Sequence, residues 1–415
     1  VSGMTPLASS FPLKPLRFMA PLRGEKVDAV PLEGEFLGLE QFESWSGKLS
    51  GVELQQPPEG GANIFNKGDV LFGKLRPYLA KGWVAENSGY CTTEGLVLTP
   101  SGADPRFVRY CLLTHEVISA VDGSTYGSKM PRADWGFIGG IHLPCPSQDK
   151  QERIANFLDD KTARIDALIA EKEQLVALLS ESRESVTELA VMPTDGARLK
   201  PLKRVTLRII TGPFGSALHS SEYVEGGVPV INPSHIVGNA VCPDQNVSVT
   251  QEMANSLSSY WLSPGELIVG RRGEMGRCAV VPVEGKGWLC GTGSLLAAPD
   301  TSQVLPDYLQ LVVSSRAARD WLSLESVGST MENLNGEILG RLPGFFPPIS
   351  DQVERLTRAR AALGTHDDLM AHVLEHIARL REYRSSLISA AVTGRLDQGT
   401  TTALLSQVSL EALNV

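Results

Sequence analysis

The sequence predicts an α/β (α+β) chain of two globular domains, each followed by a long helix, with an internal pseudo-two-fold repeat. Three observations carry this. Two long charged stretches with one apolar stripe follow a proline step, one mid-chain and one near the C-terminus. Short apolar runs bounded by glycine occur at matching places in both halves. The opening Leu13-Lys14-Pro15-Leu16-Arg17 is echoed by Leu199-Lys200-Pro201-Leu202-Lys203. A repeat of about half the chain is too long for a solenoid and fits a duplicated domain.

The boundaries follow from punctuation. Residues 1–143 form the first globular domain and 144–192 the first long helix. Pro144 and Pro146 cannot continue a regular element, and no Gly or Pro follows until Pro193. The stripe on this helix is Ile154, Leu158, Ile165, Leu168, Leu175, Leu179, Val186 and Leu189, at gaps of three, four and seven. At 1.5 Å per residue such a helix is roughly 60 Å long and needs a partner helix. A linker, 193–198, carries Pro193 and Gly196. The second globular domain covers 199–346, the second helix 347–397 and a tail 398–415. The second stripe is Leu356, Leu363, Met370, Val373, Ile377, Leu380 and Leu387, and Gly364-Thr365 is a place where this helix is expected to kink.

Within the globular parts, Gly68 to Lys74 and Gly95 to Leu98 in the first half answer to Gly265 to Arg271 and Ser294 to Leu296 in the second. These are short strands of a mixed α/β or a mostly-β domain. Helical runs at 105–121 and 306–324 follow, then polar loops at 123–129 and 328–335. Layout is shared between the halves while the side chains diverge, so one frame carries two different globular parts.

Composition is that of an ordinary soluble protein, with 42% apolar and 20% charged residues among 415. No apolar run could span a membrane, and no basic stretch with a hydrophobic core marks a secretion signal. Six cysteines without a Cys-x-x-Cys pair point to reduced thiols and a cytoplasmic protein. The net charge of −9 is unfavourable for a nucleic-acid partner. Acid concentrated on the helices nevertheless leaves room for basic loops.

Several stretches together resemble the specificity subunits of type I restriction–modification enzymes, over about Leu13 to Asp397. They are Phe36 to Glu40 leading to Trp45-Ser46-Gly47, Gly68 to Lys81, the proline step with a Gln-containing helix start at both junctions, and Ser386 to Leu396. The first helix departs from the pattern with Lys150-Gln151 in place of Glu-Gln. The resemblance implies two target-recognition domains, each reading half of a bipartite double-stranded DNA target. It implies that the helices pair antiparallel and fix the gap between the halves. Two modification subunits would then supply S-adenosylmethionine and methylate adenine N6. Restriction subunits would join for cleavage, with ATP and magnesium on the partners. The chain itself would be non-catalytic, with no cofactor or metal of its own. Leu158, Ile165, Leu168, Leu175, Leu179 and Val186, with Met370, Val373, Ile377, Leu380 and Leu387, are expected at helix-pairing or subunit interfaces.

DNA-binding candidates cluster at two places in each half. Lys74, Arg76, Tyr78 and Lys81 put three cations and a ring near a strand end, where Arg can grip phosphate or a guanine edge. Arg271, Arg272 and Arg277 stand at the corresponding place, with Gly273 and Gly276 allowing close approach. The polar loops add Tyr126, Ser128 and Lys129 in the first half and Ser329, Thr330, Asn333 and Asn335 in the second. Solvated surface cations and plain connecting loops are the ordinary uses of such residues. Trp45 and Trp83 are expected in the core.

Gly212 to Ser216 lacks the Lys-Ser/Thr of a phosphate loop. His372, Glu375 and His376 spell an inverted zinc-protease pattern, but they flank a buried helical stripe. No Asn/Asp-Pro-Pro-Tyr/Phe, cofactor-loop or Walker sequence is present. A protein-only coiled-coil scaffold is the rival from another class, distinguished by lacking salt-sensitive binding to a duplex.

Overall fold

The computed structural model describes residues 7–28, 30, 36–51, 60–127, 129–213, 217–326 and 334–396. The chain divides into two compact units. One joins the described residues up to Glu173 with those from Glu375 onward, and the other runs Gln174–Leu374. Each long helix therefore contributes to both units.

In the first unit an antiparallel sheet orders Gly82–Val84, Val70–Gly73 and Gly95–Leu98, the last two in register from Val70↔Leu98 to Gly73↔Gly95. Strand side chains alternate faces. Val70, Phe72, Leu96 and Leu98 accordingly pack with Phe107, Val108, Cys111 and Leu112 of the helix Pro105–Leu112. Leu71 and Val97 pack on the other side with Phe65, Trp83 and Cys91. A sheet covered on both faces explains why these strands read as continuous apolar runs instead of alternating ones. The second unit repeats the plan. Leu267 and Val269 face Tyr308, Leu309 and Val313, while Ile268 and Leu296 face Ile231 and Val281. A second sheet with one parallel pair completes each domain, four-stranded in the first unit and three-stranded in the second.

Each domain is closed by its own ends. Leu13–Pro15 pairs antiparallel with His142–Pro144, and Lys200–Pro201 with Pro343–Gly344. The strand entering the domain is thereby bonded to the one leaving it, just before the long helix.

A buried glutamine then fixes the start of each helix. Gln151 donates to the Pro146 carbonyl at 2.9 Å and accepts from Asp104 N at 3.1 Å. Gln352 donates to the carbonyls of Pro347 and Gln303 at 2.7 and 2.8 Å and accepts from Leu305 N at 2.9 Å. Asp104 and Leu305 are the N-cap residues of the Pro-initiated helices Pro105–Leu112 and Pro306–Ser314. The amide thus joins the proline step, the long helix and the first helix of its domain.

The long helices are Gln148–Val191 and Ile349–Thr393, and the second continues unbroken through Gly364-Thr365, where a kink was expected. They pair antiparallel in each unit. In the first, Leu158 and Ile165 share a core with Leu380, Leu387 and Ala391, and Arg384 Nε donates to Asp166 at 2.7 Å. In the second, Arg183 Nε donates to Asp367 at 2.9 Å and Ser180 lies 3.7 Å from the Met370 sulfur. The two ion pairs are counterparts: 367 − 166 and 384 − 183 both give 201.

The stripe differs from expectation at two leucines. Covered positions run Ala155, Leu158, Thr162, Ile165, Ile169, then Val176, Leu179, Arg183, Val186, Ala190. Leu168 is half-buried and packs with Ile169 against the first core, whereas Leu175 and Leu189 are exposed at 38% and 68%. Strict alternation of three and four residues passes the seam to Val176 and Ala190 and leaves these two leucines beside it. On the second helix Val373, Ile377, Leu380 and Leu387 are buried and Met370 is half-buried.

Truncating Gln352 would leave the Leu305 N–H and the Pro347 and Gln303 carbonyls without this partner in a site closed to solvent. Gln352→Ala is therefore predicted to cost about 1–3 kcal/mol, measured by denaturant unfolding. A change below the error of the midpoint would mean that the amide is not a structural tie.

Candidate DNA interface

In the first unit three segments meet where the central strand ends. Lys74 N donates to the Glu94 carbonyl at 3.0 Å, and the Lys74 carbonyl accepts from Ala133 N at 3.0 Å. Arg76 N donates to Pro131 O at 2.8 Å. Tyr126 and Arg132 exchange both backbone bonds at 3.1 Å, forming a hairpin whose tip carries Lys129. Below the tip, Arg132 Nε lies 3.1 Å from both Glu94 carboxylate oxygens.

This junction determines which side chains face outward. Arg76 adopts left-handed backbone with φ 49°, an uncommon conformation for a residue with a Cβ. The Pro77–Leu79 turn follows, and Ala80 is left-handed as well. Arg76, Tyr78, Tyr126 and Lys129 are exposed, the two tyrosines at 46% and 63%. Lys74 is half-buried behind them. Two loops far apart in sequence thus present cations and aromatic rings from one stitched base. Rings can stack and cations can neutralise phosphate, so the surface is chemically suited to nucleic acid.

Lys81 is used differently. Its ammonium donates to the Leu39 carbonyl at 2.6 Å, and burial lowers its pKa. Lys81 directly precedes the strand Gly82–Val84, and its carbonyl accepts from Gly73 N of the central strand at 2.9 Å.

The second unit has the same junction with other side chains. Arg271 N donates to the Gly293 carbonyl at 2.9 Å, and the Arg271 carbonyl accepts from Leu334 N at 3.0 Å. Here the cation at the strand end turns inward. Arg271 Nε donates to the Leu334 carbonyl at 2.9 Å and Nη1 to the Thr292 carbonyl at 3.2 Å, and burial lowers its pKa. Arg277 pairs with Glu274 at 3.2 Å, and Arg272 is exposed. Asn335 caps Gly336–Arg341 by accepting from Ile338 N at 2.9 Å, as Asp134 accepts from Gly136 N at 2.7 Å in the first unit. Ser128, Ser329, Thr330 and Asn333 lie outside the described residues.

Sequence reasoning missed Glu94, Arg132 and Met130. Met130 is 46% exposed on the hairpin. Glu94 and Arg132 are 38 residues apart, and no periodicity links them.

Other chemistry-bearing groups are committed elsewhere. His372 Nδ1 lies 2.7 Å from the Asp368 carbonyl, and Glu375 pairs with Arg379 at 2.7 Å. Among the described residues no group of three His, Cys, Asp or Glu could hold a metal ion. Burial raises the Cys91 and Cys290 thiols to about 12, so they stay protonated near neutrality. No helix among the described residues is long and apolar enough to cross a membrane. Trp83 is buried, and Trp45, half-buried, lies against His115 with ring centroids 4.2 Å apart.

Comparison with known proteins adds the following. No protein-family model matches the chain. Over 310 residues it is 24% identical to the EcoKI specificity subunit of Escherichia coli K12, a type I restriction enzyme subunit. That match covers 71% of this chain and 66% of the relative, just under two thirds of its length. The EcoDI specificity subunit of Escherichia coli is 23% identical over 147 residues, 35% of this chain and 33% of that subunit. A solved chain from a type I restriction–modification system superposes with a TM-score of 0.72 at 18% identity, covering 94% of this chain and 99% of that one. The chain therefore has the fold of that system's subunit, and its sequence resembles specificity subunits.

The two lysine and arginine roles separate experimentally. Lys81→Ala is predicted to lower the unfolding free energy by about 1 kcal/mol through loss of the Leu39 bond. Arg76→Ala, at an exposed side chain, should leave the denaturation midpoint where it was. Equal effects of the two would contradict the placement of Lys81.

Proposed function

We propose that the chain is the specificity subunit of a type I restriction–modification enzyme. In this reading it recognises a bipartite duplex target and directs adenine-N6 methylation and DNA cleavage by partner subunits. The observation that carries the reading is the repetition of one junction with different exposed side chains. Both domains hold the strand-end loop against the loop before the short helix. The first presents Arg76, Tyr78, Tyr126 and Lys129 there, and the second presents Arg272. Two readers on a shared frame suit a target with two unlike halves. The sequence likeness to the EcoKI and EcoDI subunits supports the same reading.

Each part then has a physical task. Exposed cations neutralise phosphates and set register, while side chains at the hairpin tip reach base edges. Lys74, half-buried two residues before Arg76, is assigned a second phosphate contact. The helix pair acts as a spacer, since a rigid element of fixed length sets half-site separation as dimer geometry does in other DNA readers. The pseudo-two-fold repeat matches two modification subunits, one for each half, with restriction subunits joining for cleavage. S-adenosylmethionine, ATP and magnesium belong to those partners, and the chain is non-catalytic and cytoplasmic.

The direct test maps N6-methyladenine in host DNA with and without the gene. A split motif that disappears on deletion is the expected result. A motif that persists would sink the proposal, as would failure of the chain to co-purify with a methyltransferase where no motif is found. With the target in hand, Lys74→Ala and Arg76→Ala should each reduce the salt dependence of binding by about one counterion.

The spacer idea has its own test. A heptad inserted at matched positions in both long helices preserves the three–four alternation and adds roughly 10 Å of helix. The gap in the methylated motif should grow by about three base pairs at 3.4 Å each. An assembled enzyme with an unchanged gap would refute the ruler.

A further inference from the structure

We infer that Glu94 and Arg271 are positioning residues that lock the same junction in the two readers, each setting how sharply its own half-site is discriminated. The inference rests on the sequence-reading function proposed for the chain and assigns a role to residues outside the exposed surface.

Glu94 ties three segments at once. Its carbonyl accepts from Lys74 N at 3.0 Å, and its carboxylate takes Arg132 Nε at 3.1 Å on both oxygens. Its own N–H is directed at Thr92 Oγ1, 3.3 Å away. Arg132 in turn pairs its backbone with Tyr126, and its neighbour Pro131 accepts from Arg76 N. The side chains of Glu94 and Arg132 are 25% and 36% exposed, a partly covered charge pair at the base of the hairpin. Holding a hairpin in one geometry is what base-edge hydrogen bonds require, because they are lost with small displacements. Phosphate attraction is far more tolerant of displacement.

The second reader cannot use the same clamp. Gly293 stands where Glu94 does, as the carbonyl partner of the strand-end cation. A Cβ at Gly293 would come within 2.9 Å of Pro233, so the position is closed to an ordinary side chain. The junction is held from its other side. Arg271, at the place of Lys74, sends Nε to Leu334 O and Nη1 to Thr292 O. One topological position therefore carries a half-buried lysine in the first reader and a structural clamp in the second. A strand-end arginine read from the sequence as a DNA contact becomes, in the fold, the counterpart of a carboxylate–arginine pair.

The experiment uses the full chain assembled with its modification subunits. The probes are duplexes carrying the mapped target, and the same duplexes with one base pair changed in either half. Glu94→Ala should lower discrimination against changes in one half by about tenfold or more, and leave the other half as it was. Arg271→Ala should do the same for the opposite half. Neither should alter the slope of log affinity against log salt, because neither group neutralises a phosphate. Exchanging the charges with Glu94→Arg and Arg132→Glu should restore part of the lost discrimination, which also guards against a variant that fails to fold. Unchanged discrimination in both halves would overturn the inference. So would a slope smaller by about one for Arg271→Ala, which would make Arg271 a direct phosphate contact. If the unaltered assembly shows no preference for its mapped target, the sequence-reading function itself fails.

Discussion

The guanidinium of Arg384 sits inside the helix seam, with its side chain only 12% exposed, and the pairing of the helices with the first domain depends on it. Nε donates to Asp166 on the facing helix at 2.7 Å, and Nη1 donates to the Trp45 carbonyl at 3.1 Å. Trp45 is itself in left-handed backbone, φ 64°, with its ring against His115. One cation thus joins both helices to a loop of the first globular domain. A partly buried ion pair is weak evidence for stability but is well suited to fixing register, since any slip leaves an unpaired charge. The apolar seam alone permits sliding by a heptad. The counterpart, Arg183 with Asp367, is more open, at 30% and 51% exposure, so the second unit relies less on this layer.

Register matters because the domains are attached rigidly to the helix starts. Gln151 and Gln352 are nearly or fully buried, and their amides join the long helices to the domains that precede them. The paired end strands add a second tether in each domain. A flexible joint at these points would let a domain swing on the helix that follows it. The chain instead spends buried hydrogen bonds where a linker would otherwise do.

Much of this was legible because it recurs. Periodicity marked both helices, the proline steps marked their starts, and glycine-bounded apolar runs marked the central strands. Leu175 and Leu189 stand out in the sequence because leucine outweighs valine and alanine in any hydrophobic count. The seam is chosen by strict spacing, and it passes to Val176 and Ala190. The site was less legible. Lys81 and Arg271 look like surface cations in sequence, and only the fold shows their donors directed at the carbonyls of Leu39, Thr292 and Leu334. Glu94 and Arg132 carry no local signature, since their meeting depends on a strand end and a hairpin converging.

The acid excess of the whole chain and a DNA-reading surface are compatible for a related reason. Many of the arginines are already neutralised within the fold: Arg23 by Asp69, Arg106 by Asp104 and Asp159, Arg132 by Glu94, Arg208 by Glu266. These cations hold loops and helices in place and contribute little to an external field. Arg76 and Lys129 show neither an ion pair nor a side-chain hydrogen bond among the described residues, and both are exposed on the stitched loops. A net charge of −9 averages over structural and available cations alike, whereas a phosphate responds to the few within a Debye length, about 10 Å. Binding by so few available charges is modest and salt-sensitive on its own. On the function proposed here, discrimination would come from how firmly the loops are held, a task suited to paired and buried charges.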